Sequence, residues 1–119
     1  MKKVSPKSYT LRFAAANVDT WNYIKTGKKK VETRAATVKY LPIKAGDTLV
    51  MSCKGKKFKK VVKKVTHFKT LIALYKTYKP SVINPSVKTA QELNAKYDSF
   101  PGYKEKLKKF GILAFLLDK

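Results

Sequence analysis

The sequence predicts one α+β domain, in which antiparallel strands form a small β-barrel with short helices packed at its openings. The length of 119 residues is enough for one domain with a core and too short for two. Hydrophobic residues make up 44% of the chain and occur in short runs, which argues against disorder. Their spacing switches between period two and the helical period. We therefore expect residues 1–119 to form a single domain.

The elements follow one another as short strands and short helices. Alternating or continuous apolar runs predict strands near residues 9–13, 31–35, 48–53, 58–68 and 112–117. Helical spacing predicts helices near residues 18–25, 70–78, 90–97 and 101–109.

Glycine, proline and capping residues set the predicted helix ends. Gly27 supplies the left-handed residue that stops the first helix, and the proline-containing stretch 80–85 breaks the second. Thr89 and Glu92 have the spacing of a capping box for the third helix. Pro101 suits the first turn of the fourth helix.

The corner between the first helix and the second strand carries the pattern G-x-K-x-x-E-x-R, formed by Gly27, Lys29, Glu32 and Arg34. In an extended strand, Glu32 and Arg34 project to the same side. The carboxylate then holds the guanidinium where it grips a planar or phosphate ligand bidentately. We interpret Lys29, Glu32 and Arg34 as a ligand-binding site, and the alternative is an ordinary ion pair on a strand.

Lys29 and Glu32 are also the candidate catalytic residues if the protein is an enzyme. Lys28 and Lys30 flank Lys29, and this crowding of like charges is expected to lower the pKa of Lys29, with Glu32 opposing the shift. A lysine of lowered pKa acts as a base or activates a nucleophile. For Lys28 and Lys30 themselves, we favour a structural role at the negative end of the helix dipole.

The net charge of +21 arises from 28 basic and only 7 acidic residues, and it predicts a polyanionic partner such as RNA. A coding bias toward lysine is the alternative, but it does not explain the scarcity of acidic residues. The segment 54–64 concentrates lysines around Gly55, and a β-hairpin there presents a basic ribbon. Lysines that protect a sheet edge from aggregation are the alternative. The candidate nucleic-acid-binding residues are Lys54, Lys56, Lys57, Lys59 and Lys60.

Several other classes of protein are disfavoured. No run approaches the roughly 20 apolar residues of a membrane span, and the basic start of the chain is not followed by the apolar stretch of a secretory signal. The single cysteine, Cys53, is predicted to fill the core of a cytoplasmic protein. His67 and Cys53 are too few for a zinc site, and no phosphate-binding loop occurs, so we expect no metal or cofactor. We expect His67 to be partly buried and bonded to the backbone.

The corner pattern and its context resemble the activating-signal-cointegrator homology (ASCH) family, whose signature is a G-x-K-x-x-E-x-R segment after the first helix. The turn and strand at residues 43–50 (IKAGDTLV) are similar to the I-x-x-G-D segment that follows in this family. Residues 62–74 and 97–116 resemble its later strand, helix and closing strand. The resemblance covers nearly the whole chain. It implies a PUA-like β-barrel in which Lys29, Glu32 and Arg34 face a ligand cleft.

Within this family, the resemblance implies either a binding module or a hydrolase. As a module, the protein holds RNA or a nucleoside-containing ligand, with Trp21, Tyr23 or Tyr40 available to stack on a base. We expect Trp21 to lie in the core and assign Tyr40 to the ligand site. A third interpretation is a scaffold that binds an acidic protein.

As a hydrolase, it resembles N4-acetylcytidine amidohydrolases or ribonucleases. The amidohydrolases carry threonine where this chain has Glu32, and the neighbouring Thr33 is expected to point to the opposite strand face. They also carry a downstream carboxylate, for which only Glu92 and Asp98 are candidates. We therefore prefer the binding module.

Overall fold

The computed structural model describes residues 6–118 and has a mixed α+β fold, as predicted. Its strands are β1 (Ser8–Phe13), β2 (Val31–Ala35), β3 (Thr48–Cys53), β4 (Lys56–Phe68) and β5 (Ile112–Leu117). Its α-helices are α1 (Val18–Lys25), α2 (Leu71–Thr77), α3 (Pro80–Ile83), α4 (Ala90–Asp98) and α5 (Tyr103–Phe110). The expectation about the start of the chain falls partly on residues 1–5, which lie outside the described residues.

The predicted break of the second helix is confirmed, since α2 ends at Thr77, before the stretch 80–85. A short helix that we did not predict, α3, begins at Pro80, because proline is tolerated in the first turn of a helix. The predicted place of Pro101 in the first turn of the last helix was wrong, because Pro101 lies in the turn before α5 and the helix begins after Gly102. The predicted cap of α4 is confirmed, since the Thr89 hydroxyl accepts a hydrogen bond from the Glu92 amide at 3.2 Å.

The five strands form one sheet in the order β1-β3-β4-β5-β2. The prediction of an antiparallel barrel was wrong for one pair, because β1 and β3 are parallel while the other neighbours are antiparallel. The chain passes through α1 and β2 between these two strands, and a parallel pair requires such a crossover connection.

Strand β4 curls the sheet into a half-barrel. It has 13 residues, of which the first half pairs with β3 and the second half with β5. The pairing with β5 is irregular between Val62 and Lys64, and such a bulge bends a strand. Strands β1 and β2 are left as the two edges of the sheet.

Strand β5 is apolar almost throughout because both of its faces are buried. Its residues Leu113, Phe115 and Leu117 face the inside of the half-barrel, where they join Leu11, Trp21, Ile24, Leu49 and Met51. Its residues Ile112 and Ala114 face the helices, where they join Leu74, Ile83, Val87, Leu93 and Tyr97. The predicted core position of Trp21 is confirmed, and its indole N–H donates a 3.0 Å hydrogen bond to the carbonyl of Met51.

The predicted hairpin joins β3 to β4 through Lys54 and Gly55. Both residues have positive φ angles, 53° and 79°, which is the requirement of a type I′ turn. Cys53, at the end of β3, is buried with a free thiol, as expected of a core-filling cysteine. Within residues 6–118, no helix combines the length and the apolarity needed to cross a membrane.

Candidate functional site

A cleft of about 350 Å³ opens where the edge strands β1 and β2 approach each other. Helices α3, α4 and the start of α5 close its other side. It is lined by Arg12, Phe13, Ala14, Asn17, Thr20, Lys29, Glu32, Thr33, Arg34, Ile83, Asn84, Leu93, Lys96, Tyr97, Phe100 and Tyr103.

The pairing of β2 with β5 determines which backbone groups face the cleft. The Lys30 carbonyl accepts a hydrogen bond from the Leu117 amide, and the Ala36 amide donates one to the Gly111 carbonyl. The odd-numbered residues between them therefore turn their N–H and C=O groups to the free edge. Side chains form hydrogen bonds with several of these backbone groups. Lys29 donates to the Val31 carbonyl, Glu32 accepts from the Thr33 amide, and Tyr103 accepts from the Ala35 amide. These bonds block the edge against another strand.

Glu32 lies at the centre of the charged corner. Its Oε1 lies 3.4 Å from the Nζ of Lys29 and accepts from the amide of Thr33 at 3.0 Å. Its Oε2 accepts from Nε and Nη2 of Arg34 at 3.3 and 3.2 Å. The expectation that the carboxylate holds the guanidinium on one side of the strand is confirmed, and the side chain of Glu32 is only 7% exposed.

Lys29 is buried, with 3% of its side chain exposed. Its Nζ donates to the Val31 carbonyl at 2.6 Å and to the Ile83 carbonyl, and it pairs with Glu32. Burial lowers the pKa of Lys29 and Glu32 opposes the shift. The predicted direction is correct, but its predicted cause was wrong, because Lys28 and Lys30 are exposed and burial dominates. Three acceptors match the three donors of an ammonium group, so this lysine is built into the wall.

Arg34 joins the two edge strands. Its Cζ lies 4.9 Å from the ring centroid of Phe13 in β1 and 5.7 Å from that of Tyr40. Burial is the largest single effect and lowers the pKa of Arg34, but Glu32, Tyr40 and Tyr103 together outweigh it, so the net shift is upward and the guanidinium stays charged. Its side chain keeps 18% exposure at the cleft. Tyr40 contacts Arg34 but is not part of the cleft wall.

An aromatic wall that the sequence reasoning missed lines the helical side of the cleft and consists of Tyr97, Phe100 and Tyr103. The rings of Tyr97 and Tyr103 are stacked with centroids 5.9 Å apart, and the ring of Phe100 meets Tyr103 edge-on at 5.6 Å. Burial raises the pKa of Tyr103 to about 12, so its hydroxyl is protonated at neutral pH. The spacing of these aromatics, three residues apart in the sequence, was the signal that could have found them.

Thr33 also borders the cleft. Its hydroxyl lies 2.6 Å from the hydroxyl of Tyr97 on the helix-covered side of β2, as the alternation of strand faces predicted. Thr33 borders the cleft from that face, because the cleft follows the free edge of β2 and is therefore bordered from both faces. Burial raises the pKa of Tyr97, which keeps this hydroxyl protonated.

The cleft carries an excess of positive charge. Four cations line it, namely Arg12, Lys29, Arg34 and Lys96, and the described residues place a single carboxylate there, that of Glu32. Glu92 and Asp98, the candidates for a second carboxylate, do not line the cleft. Glu92 instead accepts hydrogen bonds at the start of α4. An anionic ligand fits this balance of charges.

The hairpin lysines are divided by the alternation of β4. Lys54, Lys56, Lys57 and Lys59 are exposed, as expected of a basic ribbon. Lys60 is only 8% exposed, which leaves little of its side chain for a contact with nucleic acid. It shares the inward face with Phe58 and Val62, and this alternation was visible in the sequence.

The remaining candidates lie outside the cleft. Tyr23 is half-buried, and neither it nor Trp21 lines the cleft. His67 is exposed rather than partly buried, although its Nε2 does bond to the backbone, at 2.8 Å from the Phe110 carbonyl. Among residues 6–118, no cluster of three or more His, Cys, Asp or Glu side chains is placed to hold a metal ion.

The chain is similar to solved structures along nearly its whole length. The crystal structure of the hypothetical protein PH0355 shares 24% identity over 96% of this chain and 98% of that chain, with a TM-score of 0.75. The solution structure of protein PF0455 from Pyrococcus furiosus shares 27% identity over 93% of this chain and 96% of that chain, with a TM-score of 0.72. No protein-family model and no curated protein matches the chain. These similarities show the fold and leave the function to the chemistry of the cleft.

Proposed function

We propose that this protein is a PUA-like ASCH domain that binds RNA or a nucleoside-containing ligand in the cleft between β1 and β2. The observation that carries the proposal is the composition of the cleft, which combines an excess of cations with an aromatic wall. Its volume of about 350 Å³ falls in the range of small-molecule sites. A nucleotide combines the two matching features, since it joins an anionic phosphate to a flat ring.

The charges support a division of labour in ligand binding. Arg34 is held by Glu32 but its side chain keeps 18% exposure, and Arg12 lies exposed at the same opening. We assign both arginines to the phosphate or to an acceptor edge of the base. Lys29 positions Glu32 and α3 from inside the wall, because its donors are already used.

Phe100 is the best-placed stacking platform for a base. It is 37% exposed, lines the cleft, and is held edge-on against Tyr103. Stacking of a base on an aromatic side chain contributes roughly 1 to 3 kcal/mol and tolerates any base. It therefore replaces Trp21, Tyr23 and Tyr40 as the residue we assign to this role.

Binding of cytidine monophosphate and a uridine dinucleotide, measured by calorimetry and NMR, tests the proposal. We expect Arg34→Ala to weaken both ligands by about 2 kcal/mol or more, because it removes a desolvated charged donor. Phe100→Ala should cost roughly 1 to 3 kcal/mol. Phe110→Ala is the matched control, since Phe110 is 40% exposed but lies outside the cleft. Equal effects of the two phenylalanine substitutions would exclude the aromatic wall as the binding site.

Hydrolysis is the second candidate function, and the observation in its favour is the hydroxyl of Thr33 at the border of the cleft. Two features weigh against it. The donors of Lys29 are occupied, and the described residues supply no second carboxylate to the cleft. The assay incubates the protein with N4-acetylcytidine and, separately, with unstructured RNA, and follows both by mass spectrometry. We expect no turnover; turnover that Lys29→Ala abolishes without loss of ligand binding would establish the hydrolase.

A further inference from the structure

Arg12 connects the cleft to an open face of the sheet. It is exposed, it lines the cleft, and the register pairs it with Ser52 of β3. Ser52 is in turn paired with Lys57 of β4. Because side chains of paired residues project to the same face of a sheet, these three residues form one row across three strands.

Two parallel rows extend this face away from the cleft. The next row is Thr10, Val50 and Lys59, and the one after it is Ser8, Thr48 and Val61. Intervening residues such as Leu11, Leu49 and Met51 point into the core on the other face. The described helices leave the outer face open, since every residue of the three rows is exposed or half-buried. We call these nine residues the open face.

The nine residues of the open face carry positive charge only, and one carboxylate adjoins its far end, where Asp118 accepts a hydrogen bond from the Val61 amide at 2.9 Å. The charged residues of the open face are Arg12, Lys57 and Lys59, and the exposed Lys54 of the hairpin turn adjoins it. Lys57 and Lys59 are two residues apart in a strand, which spaces them by about 7 Å. The hydroxyl of Ser52 lies between Arg12 and Lys57 in the first row, and the hydroxyls of Thr10, Ser8 and Thr48 continue the face through the next two rows. Such a mixture of cations and hydroxyls is typical of surfaces that contact phosphates.

We propose that the open face is a track for single-stranded RNA whose one end is held in the cleft. The inference rests on the proposed function of the cleft, and Arg12 is the residue shared by both sites. Nucleic acid is favoured over an acidic protein because the face is continuous with a nucleotide-sized cleft. The face also lacks the aromatic anchors on which protein interfaces depend.

A length series of oligouridylates tests the track. The track variant combines Lys54→Asn, Lys57→Gln and Lys59→Gln; asparagine is chosen because it tolerates the positive φ of residue 54. The control variant changes three exposed lysines outside the cleft and the open face to glutamine, namely Lys69, Lys76 and Lys108. Both variants lose the same charge.

We expect the parent chain to bind a decamer more tightly than a dimer. The track variant should weaken the decamer by about tenfold at low salt and reduce its salt slope, log K against log[salt], by about two, with the dimer unaffected. The control variant should change the slope much less. Arg12→Gln should weaken both ligands, because Arg12 belongs to both sites.

The outcomes separate the track from the cleft. A dimer that does not bind at all would overturn the proposed function and the track with it. A dimer that binds as tightly as the decamer, or a control variant as weak as the track variant, would overturn the track alone. Decaglutamate is the remaining probe. If decaglutamate binds the parent chain as tightly as the oligouridylate decamer does, and if the track substitutions weaken its binding, the open face is a surface for acidic proteins. The RNA track is then wrong.

Discussion

The corner triad, Lys29, Glu32 and Arg34, and the exposed hairpin lysines, Lys54, Lys56, Lys57 and Lys59, use charge in opposite ways. In the triad, Lys29 and Glu32 are removed from water, Arg34 keeps only 18% exposure of its side chain, and each charged group is held by named partners. In the hairpin, the ammonium groups are exposed. A charged side chain therefore has different consequences in the two regions. A charge held by partners fixes the geometry of a site, whereas a solvated charge attracts polyanions in a way that salt screens.

The strongest test of this comparison is Glu32→Ala. It removes the anion between two cations and leaves Lys29 buried without its counter-charge, which should lower the free energy of unfolding by about 3 to 5 kcal/mol. Urea denaturation measures the change. Asp98→Ala is the control, because Asp98 is exposed, and it should stay within about 0.5 kcal/mol. A similar cost for both substitutions would mean that Glu32 is not the centre of the site.

Lys29→Met tests the same contrast from the cationic side. The apolar side chain fills much of the space but leaves the carbonyls of Val31 and Ile83 and the carboxylate of Glu32 without their donor. We expect a loss of about 3 kcal/mol in urea denaturation. Lys28→Met is the control, because Lys28 is the exposed neighbour of Lys29, and it should leave the free energy of unfolding almost unchanged. If Lys29→Met cost as little stability as Lys28→Met, Lys29 would have to be a free base rather than part of the cleft wall.

These partners explain how far the sequence could predict the site. Lys29, Glu32 and Arg34 lie within six residues of one another, so their convergence follows from a helix end and a strand. The positions of their remaining partners do not follow from these local elements. Ile83 and Tyr97 approach β2 only because the later helices pack against it, and Arg12 approaches it only because the sheet curls. No local spacing records those contacts.

The fold divides in the same way. The bounds of β2, β3, β5 and α1 agree with the prediction, because alternation and glycine punctuation are local signals. The parallel pairing of β1 with β3 was missed, since a strand shows the same period of two whichever way its neighbour runs. The position of Lys60 was missed because its charge was given more weight than its place between Phe58 and Val62.

Asp47 extends the comparison to an acidic residue and predicts a pH dependence. Its carboxylate accepts from the backbone amides of Lys7 and Lys44 at 3.0 and 2.9 Å. These bonds, that of Lys7 first, lower the pKa of Asp47 below its ordinary value of 3.8. The native state then binds this proton less readily than the unfolded state. The stabilisation is therefore complete above the unfolded pKa and is lost as the pH falls through the folded pKa.

Asp47→Asn should accordingly cost about 1 kcal/mol at neutral pH. The difference from the parent should shrink in acid, because the parent then loses the same charged acceptor. Urea denaturation at about pH 7 and about pH 3 measures both values. Asp19→Asn is the control, since Asp19 is exposed in the first turn of α1. A cost of Asp47→Asn that is independent of pH would show that shape rather than charge holds this turn.

The smallest effect is expected for the solvated lysines. The positive charges of a chain with a net charge of +21 repel one another. The double substitution Lys57→Gln and Lys59→Gln should therefore raise the free energy of unfolding by about 0.3 kcal/mol at about 0.01 M salt. The gain should vanish near 1 M salt, where the Debye length falls to about 3 Å. Lys60→Gln is the matched comparison on the inward face of the same strand, and it should be destabilising at both salt concentrations because the aliphatic stem of Lys60 is buried.

If all three lysines responded to salt alike, the distinction between held and solvated charge would fail on β4. If Lys57→Gln and Lys59→Gln were destabilising at high salt, the hairpin lysines would have to be packed against the protein rather than free to contact a phosphate.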